Sequence, residues 1–223
     1  MKNDGRFIVI EGIDGAGTST QVKLLVEEFA GRGFRIKSTF EPTGGPVGLL
    51  IRDILEKRIV PLRDVYKDEH GERDTLALLF TSDRMDHIYR EIIPAINNGE
   101  SVVSDRYYHS TCAYQMRDEE HLKWIVNMNS KAIVPDLTIF LDLEPEESIK
   151  RIQSREQKED DFSADEGKDL YETLDQLKRI RASYMRVLDF LHSKGENIMV
   201  FDGSSGIEDV HNCICSEVTK LFK

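Results

Sequence analysis

The sequence has little cysteine. Cys112, Cys213 and Cys215 make an odd number with no spacing typical of a zinc site, which argues against a closed disulfide framework and leaves small buried thiols as the expectation. The six histidines offer no pair at ligand spacing with further donors, so a transition-metal site is not expected. No apolar run approaches membrane-spanning length, and Met1 to Gly5 is polar rather than a basic stretch leading into an apolar one. The expectation is a soluble, cytoplasmic chain with no membrane partner. Positive charge is also scarce: 30 Lys and Arg stand against 41 Asp and Glu, a formal net charge of -11. Such a field repels a polynucleotide backbone, whereas a small anionic substrate needs only a few arginines.

What is present is a globular balance, with 39% hydrophobic and 32% charged residues over 223 positions. That length buries one sizeable core, and residues 1–223 read as a single domain. Short Ile-, Val- and Phe-rich runs recur at Phe7 to Ile10, Phe34 to Thr39, Ser101 to Val103, Leu137 to Leu141 and Ile198 to Phe201. Each reads as a strand buried on both faces. Between them lie helical spacings such as Val22, Leu25, Val26 and Phe29, or Ile88, Ile92 and Ile96. Strand alternating with helix predicts an α/β three-layer fold, a parallel and five-stranded sheet flanked by helices. In such a sheet ligands bind beyond the carboxyl ends of the strands, and those ends read Glu11-Gly12-Ile13-Asp14, Glu41-Pro42-Thr43, Ser104-Asp105-Arg106-Tyr107 and Asp202-Gly203-Ser204. The one charge-dense segment, Arg155 to Asp169, has no apolar periodicity and reads as a loop between helices.

After the first strand comes Gly12-Ile13-Asp14-Gly15-Ala16-Gly17-Thr18-Ser19-Thr20, followed by a helical pattern. The order is that of a phosphate loop, in which glycines turn backbone N–H groups onto a phosphate and the helix adds its dipole. Gly12 and Gly17 have the required spacing, and Ser19 stands where a hydroxyl would ligate magnesium. The lysine expected between Gly17 and Ser19 is missing, because position 18 is Thr. A lysine there would reach the β and γ phosphates, so another cation has to take its part. The dinucleotide-binding alternative uses Gly-x-Gly-x-x-Gly, and the order here is Gly-x-x-Gly-x-Gly.

With this P-loop, the stretches Leu79-Phe80-Thr81-Ser82-Asp83-Arg84, Asp105-Arg106-Tyr107 and Ser110-Thr111-Cys112-Ala113-Tyr114-Gln115 make the sequence resemble the thymidylate kinases, in the bacterial type with a basic lid. The resemblance implies transfer of the ATP γ-phosphate to dTMP, with Mg2+ accompanying ATP, and a homodimer. It places Arg106 and Arg52 on the acceptor phosphate, work that suits a forked, permanently charged guanidinium. It sets Phe80 against the thymine ring and Arg84, at i+4 on the same helix face, on a carbonyl of that ring. Ser110, Thr111 and Gln115 fall along the pyrimidine edge, and Tyr114 under the sugar. Asp14 and Asp105 resemble the carboxylates at the phosphate centre, Asp14 near the acceptor and Asp105 toward the metal beside Ser19.

The same resemblance draws a lid at about 150–168, with Arg151 and Arg155 turned to the ATP phosphates and Arg155 as the catalytic cation beside Asp14 and Arg106. Lys158 lies in the same segment, while Glu159-Asp160-Asp161-Phe162 departs from the pair many relatives carry, as Phe40 does from the arginine before their Glu-Pro turn. Bland readings stay open at this stage: Arg52 as a solvated helix residue, Phe80 as core, Asp105 as a structural partner of Arg106. Two rival functions stay open as well. Thr18 would suit a non-catalytic nucleotide sensor, and because a stacking aromatic tolerates any pyrimidine, another deoxynucleotide or a nucleoside could be the acceptor, with discrimination resting on Arg84 and the Ser110 to Gln115 edge.

Overall fold

The computed structural model describes residues 5–61, 64–65, 67–156 and 173–222, the side chains of residues 155 and 156 excepted. Five strands form one parallel sheet in the order β2-β3-β1-β4-β5, with β1 at Phe7–Gly12, β2 at Ile36–Phe40, β3 at Ser101–Asp105, β4 at Leu137–Asp142 and β5 at Ile198–Asp202. β1 lies in the middle because its first four residues are apolar: Phe7, Ile8, Val9 and Ile10 are each at most 1% exposed. Each such side chain removed from water contributes about 1.5–3 kcal/mol. The chain builds β2 and β3 on one side of β1, then crosses over to β4 and β5 on the other. The reversal of winding opens a crevice at the carboxyl end of β1.

Helices cover both faces: α1 Thr18–Gly31, α2 Pro46–Leu55, α3 Glu69–His87, α4 Ile93–Asn97, α5 Tyr108–Gln115, α6 Glu119–Met128, α7 Pro145–Glu156, α8 Leu174–Ser193 and α9 Ile207–Lys220. Their starts follow local chemistry. Asp68 and Asp118 accept backbone N–H groups of α3 and α6, Pro46 begins α2, and Thr173 with Gln176 forms a capping box on α8. A π-helical turn, Ile88–Ile92, joins α3 to α4, its Ile93 N–H bonding Ile88 O five residues back. Pro94, which has no N–H to continue the regular ladder, sits just beyond.

Three expectations change. The outer strands are not buried on both faces: Phe40 on β2 and Val200 on β5 are each 51% exposed, because an edge strand has a neighbour on one side only. β2 begins at Ile36 rather than Phe34, whose ring is drawn into a cluster with Phe29 and Phe222 at centroid distances of 5.5 and 4.6 Å. Cys112 and Cys215 are buried as expected, but Cys213 is exposed on α9. The charge-dense segment from Arg155 onward, with Lys158, falls almost wholly outside the described residues.

Candidate functional site

Parallel pairing of β1 with β3 sets Ile10 beside Asp105, so Glu11 to Asp14 and Asp105 to Arg106 leave the sheet together. The loop after β1 turns on Gly15 (φ 77°) and Gly17 (φ 93°), in the left-handed region that glycine enters without strain. A Cβ on Gly15 would also stand 3.0 Å from the carbonyl oxygen of Ser148, because α7 packs directly on the loop. The Ser148 hydroxyl donates to the Asp14 carbonyl, fastening the loop from that side. Gly17 starts α1 with no side-chain cap, and the first turn carries no acidic residue. The positive end of the helix is thus left for an anion from outside.

Ile13, Ala16 and Thr18 are buried, so they offer a ligand their backbone rather than their side chains. Thr18 packs its methyl near Gly12. Ser19 and Thr20 are exposed, and the Ser19 hydroxyl donates to Asp105 Oδ2. The other carboxylate oxygen, Asp105 Oδ1, is buried without a hydrogen-bond partner. Among the described residues no three His, Cys, Asp or Glu side chains gather as a metal cage. One hydroxyl and one carboxylate with an unmatched oxygen do suit a hard cation that keeps waters and shares substrate phosphates. Arg151 lies on α7 three residues after Ser148, its Nε 3.5 Å from Glu147 Oε1. Position 155 follows one turn later, with its side chain outside the described part.

On the other side of Arg106 is a cleft of about 250 Å³. Asp14, Arg52, Phe80, Arg84, Arg106, Ser110, Thr111, Tyr114 and Gln115, the residues that the family resemblance sets around dTMP, all line it. Arg106 Nη2 donates to Asp14 Oδ1 at 2.6 Å, and Tyr114 donates to Asp14 Oδ2 at 2.9 Å. Arg106 Nη1 donates to Gly12 O, Ser110 Oγ and Tyr184 Oη at 2.9, 3.2 and 3.2 Å. Burial works against this guanidinium's charge, but Tyr114, Asp14, Tyr184 and Asp105 outweigh it and hold Arg106 firmly protonated. Arg106 has φ 69°, a conformation that costs a side-chain-bearing residue about 1–2 kcal/mol.

Arg52 is not simply a solvated helix residue. Its guanidinium donates to the carbonyl oxygens of Thr43 (2.7 Å) and Pro42, closing the turn after the cis Glu41–Pro42 bond, and lies 5.4 Å from the Phe40 ring centroid. Phe80 is half-buried, packed against the core on one side and lining the cleft on the other. Arg84 is 1% exposed and largely engaged within the protein. Its Nε and Nη2 reach Glu41 Oε2 at 2.9 and 2.7 Å, Nη1 donates to Asn129 Oδ1 at 2.7 Å, and Nη2 to Thr111 Oγ1 at 2.8 Å.

Sequence reasoning missed the buried carboxylates behind these arginines. Glu41 holds Arg84 and, through Oε1, His87 Nδ1 at 3.0 Å. Glu11, wholly buried, accepts from Tyr107 N, Ser110 Oγ and Tyr184 Oη at 2.8, 2.6 and 2.9 Å. His109 lies between Glu11 and Glu196, 3.6 and 3.0 Å away. Burial disfavours the His109 cation, yet the hydrogen bond with Glu196 and the charge of both carboxylates raise its pKa above the ordinary 6.5. Burial likewise opposes charge on Glu11, and His109 and Arg106 prevail, so its pKa falls below 4.5. The signal for Glu11 was its place at a strand end; nothing local marked Glu196 or Tyr184.

The thymidylate kinase family model matches residues 10–214. Among similar proteins, the probable thymidylate kinase of Thermococcus kodakarensis is 36% identical over 218 residues, covering 97% of this chain and 98% of the relative. That of Pyrococcus horikoshii is 35% identical, covering 96% of each, and that of Methanococcus aeolicus is 33% identical, covering 96% of this chain and 95% of the relative.

Proposed function

The chain belongs to the thymidylate kinase family, and from that premise we propose that the Arg106 cleft takes dTMP while the loop at residues 12–20 takes the phosphates of ATP. The enzyme is a nucleoside monophosphate kinase that transfers the ATP γ-phosphoryl group to dTMP, giving dTDP and ADP. The observation that carries the site assignment is the gathering of Asp14, Arg52, Phe80, Arg84, Arg106, Ser110, Thr111, Tyr114 and Gln115 around one cavity. No feature of this cleft favours a non-catalytic sensor.

Little covalent chemistry is required of the protein in such a transfer; positioning and charge neutralisation account for most of it. Arg106 holds the acceptor phosphate with the part of its fork that Gly12, Ser110 and Tyr184 do not occupy. Asp14, shared by Arg106 and Tyr114, occupies that fork when no phosphate is present and orients it when one arrives. Phe80 stacks on the base, Arg84 and Thr111 with Gln115 line its edge, and Tyr114 fills the space beneath the sugar. The backbone of residues 13–18 and the uncapped start of α1 hold the donor phosphates. Ser19 and Asp105 would hold Mg2+, which would neutralise charge on the transferring phosphates. Arg155, the catalytic cation of this scheme, and Arg151 stand in for the lysine absent at Thr18, Arg151 on the helix whose Ser148 packs on the loop. Arg52 acts on the acceptor through the turn that it closes as well as by its charge.

We further propose that residues 1–223 act as one domain with a lid at about 150–168, working in the cytoplasm as a homodimer. Among the described residues no helix is long and apolar enough to cross a membrane. The deciding experiment is an ADP-release assay with Mg2+ and ATP, offering dTMP, dUMP, dCMP and thymidine in turn. dTMP is expected to be turned over with the highest kcat/KM; equal turnover of dUMP or preference for thymidine would overturn the assignment of the pyrimidine edge.

A further inference from the structure

Glu11 stands directly behind the acceptor phosphate site: it does not line the cleft but bonds Tyr107 and Ser110, which do. It sits at the end of β1 with no solvent exposure, and its carboxylate faces the start of α5. α5 has no cap of its own: Tyr107 stands at the capping position without a side-chain hydrogen bond. Glu11 Oε1 supplies that cap from another element, accepting from the Tyr107 N–H at 2.8 Å and the Ser110 N–H at 3.3 Å. The residue directly before this cap is Arg106, with its left-handed φ. A strained backbone persists only where its surroundings over-determine it. Here the Arg106 N–H bonds Ile10 O at 3.0 Å, its carbonyl accepts from Ser104 Oγ at 2.7 Å, and the next N–H is held by Glu11.

Glu11 also governs the far end of the same side chain. Its Oε2 lies 2.6 Å from Ser110 Oγ and 2.9 Å from Tyr184 Oη. With their protons drawn toward Glu11, both hydroxyl oxygens present lone pairs to Arg106 Nη1. Behind Glu11, His109 and then Glu196 complete a buried line of alternating charge that ends near the surface.

We propose that Glu11 is a positioning residue for phosphoryl transfer: it fixes both the backbone and the guanidinium of Arg106, so that the fork is set before the acceptor phosphate arrives. This rests on the reading that Arg106 holds that phosphate. Preorganisation of this kind acts on the phosphate and not on the base, which gives it a signature that general loosening of the fold does not have.

The test compares affinities for dTMP and for thymidine, which lacks the 5'-phosphate, by calorimetry in the wild type, Glu11→Gln, Tyr184→Phe and Arg106→Lys. Glu11→Gln is expected to weaken dTMP by about ten- to a hundredfold while changing thymidine affinity and the KM for ATP by less than about twofold. Tyr184→Phe, which removes one hydroxyl from the relay and keeps the ring, is expected to shift the same ratio in the same direction by less. Equal losses for dTMP and thymidine, or an unchanged ratio, overturn the proposal, and Tyr184→Phe decides it if Glu11→Gln does not fold. A ratio lost in Arg106→Lys but kept in the other two variants overturns only the role of Glu11. A ratio kept in Arg106→Lys overturns the phosphate assignment and this inference with it.

Discussion

Thr18 removes a charge from the phosphate loop and leaves its shape intact. Its side chain is 7% exposed and lies against Gly12, so the loop keeps its course without the lysine. Because Arg151 and Arg155 stand in for that cation, Thr18→Lys is expected to change kcat by less than about threefold, although a single preorganised donor can be worth about 10²–10³ in rate. Steady-state kinetics at saturating dTMP check this, and a rise of about tenfold or more would show that the arginines of α7 leave the lost charge unreplaced. Arg84 presents the opposite case, a cation largely engaged within the protein. Arg84→Met would leave Glu41 buried with only His87 beside it, and breaking a buried pair costs about 3–5 kcal/mol. Urea unfolding should register that loss in stability before any assay registers one in activity.

At the level of elements, α5 depends on groups that lie far away in sequence. Glu11 and Glu196 have lowered pKa values, so their contribution is present above about 4.5 and fades as pH falls through the lowered values. His109 has a raised pKa, so its contribution is complete below about 6.5 and fades as pH climbs through the raised value. The cluster stabilises most between those limits. His109→Gln is expected to flatten the alkaline limb of a stability-against-pH curve measured by thermal unfolding, leaving the acid limb in place; a limb as steep as in the wild type would refute the assignment.

The same element explains what the sequence could and could not reveal. Ile-, Val- and Phe-rich runs marked the strands, because a central parallel strand has to be apolar on both faces, and the edge strands differed in exposure and, for β2, in where the strand begins. The loop, its missing lysine and the residues around the cleft were readable because each lies in a short contiguous stretch. The carboxylates supporting them were not. Glu11 meets Tyr184 across 173 residues and His109 meets Glu196 across 87, and no local spacing encodes either pair. The role of Arg52 was half legible, since a charge on a helix can be read but not the turn that it closes.

For the molecule as a whole, ligand and fold are linked by mass action. dTMP at a hundred times its Kd should raise stability by about 2.7 kcal/mol, a shift of roughly 5–10 °C in Tm for a chain of this size. Differential scanning fluorimetry with dTMP and then thymidine measures the share contributed by the phosphate, and equal shifts would remove Arg106 from the acceptor site.

The strand order has a consequence for how the molecule comes into being. Gly12 and Arg106 share a hydrogen bond across 94 residues, and the strands that carry them are neighbours only after the chain has built β2 and β3 and β3 has paired with β1. The entropic cost of closing that loop has to be met before the contacts across it can form. No fragment ending before β3 can hold an acceptor phosphate, so on a ribosome the capacity to bind dTMP arrives only once the segment through α5 has emerged.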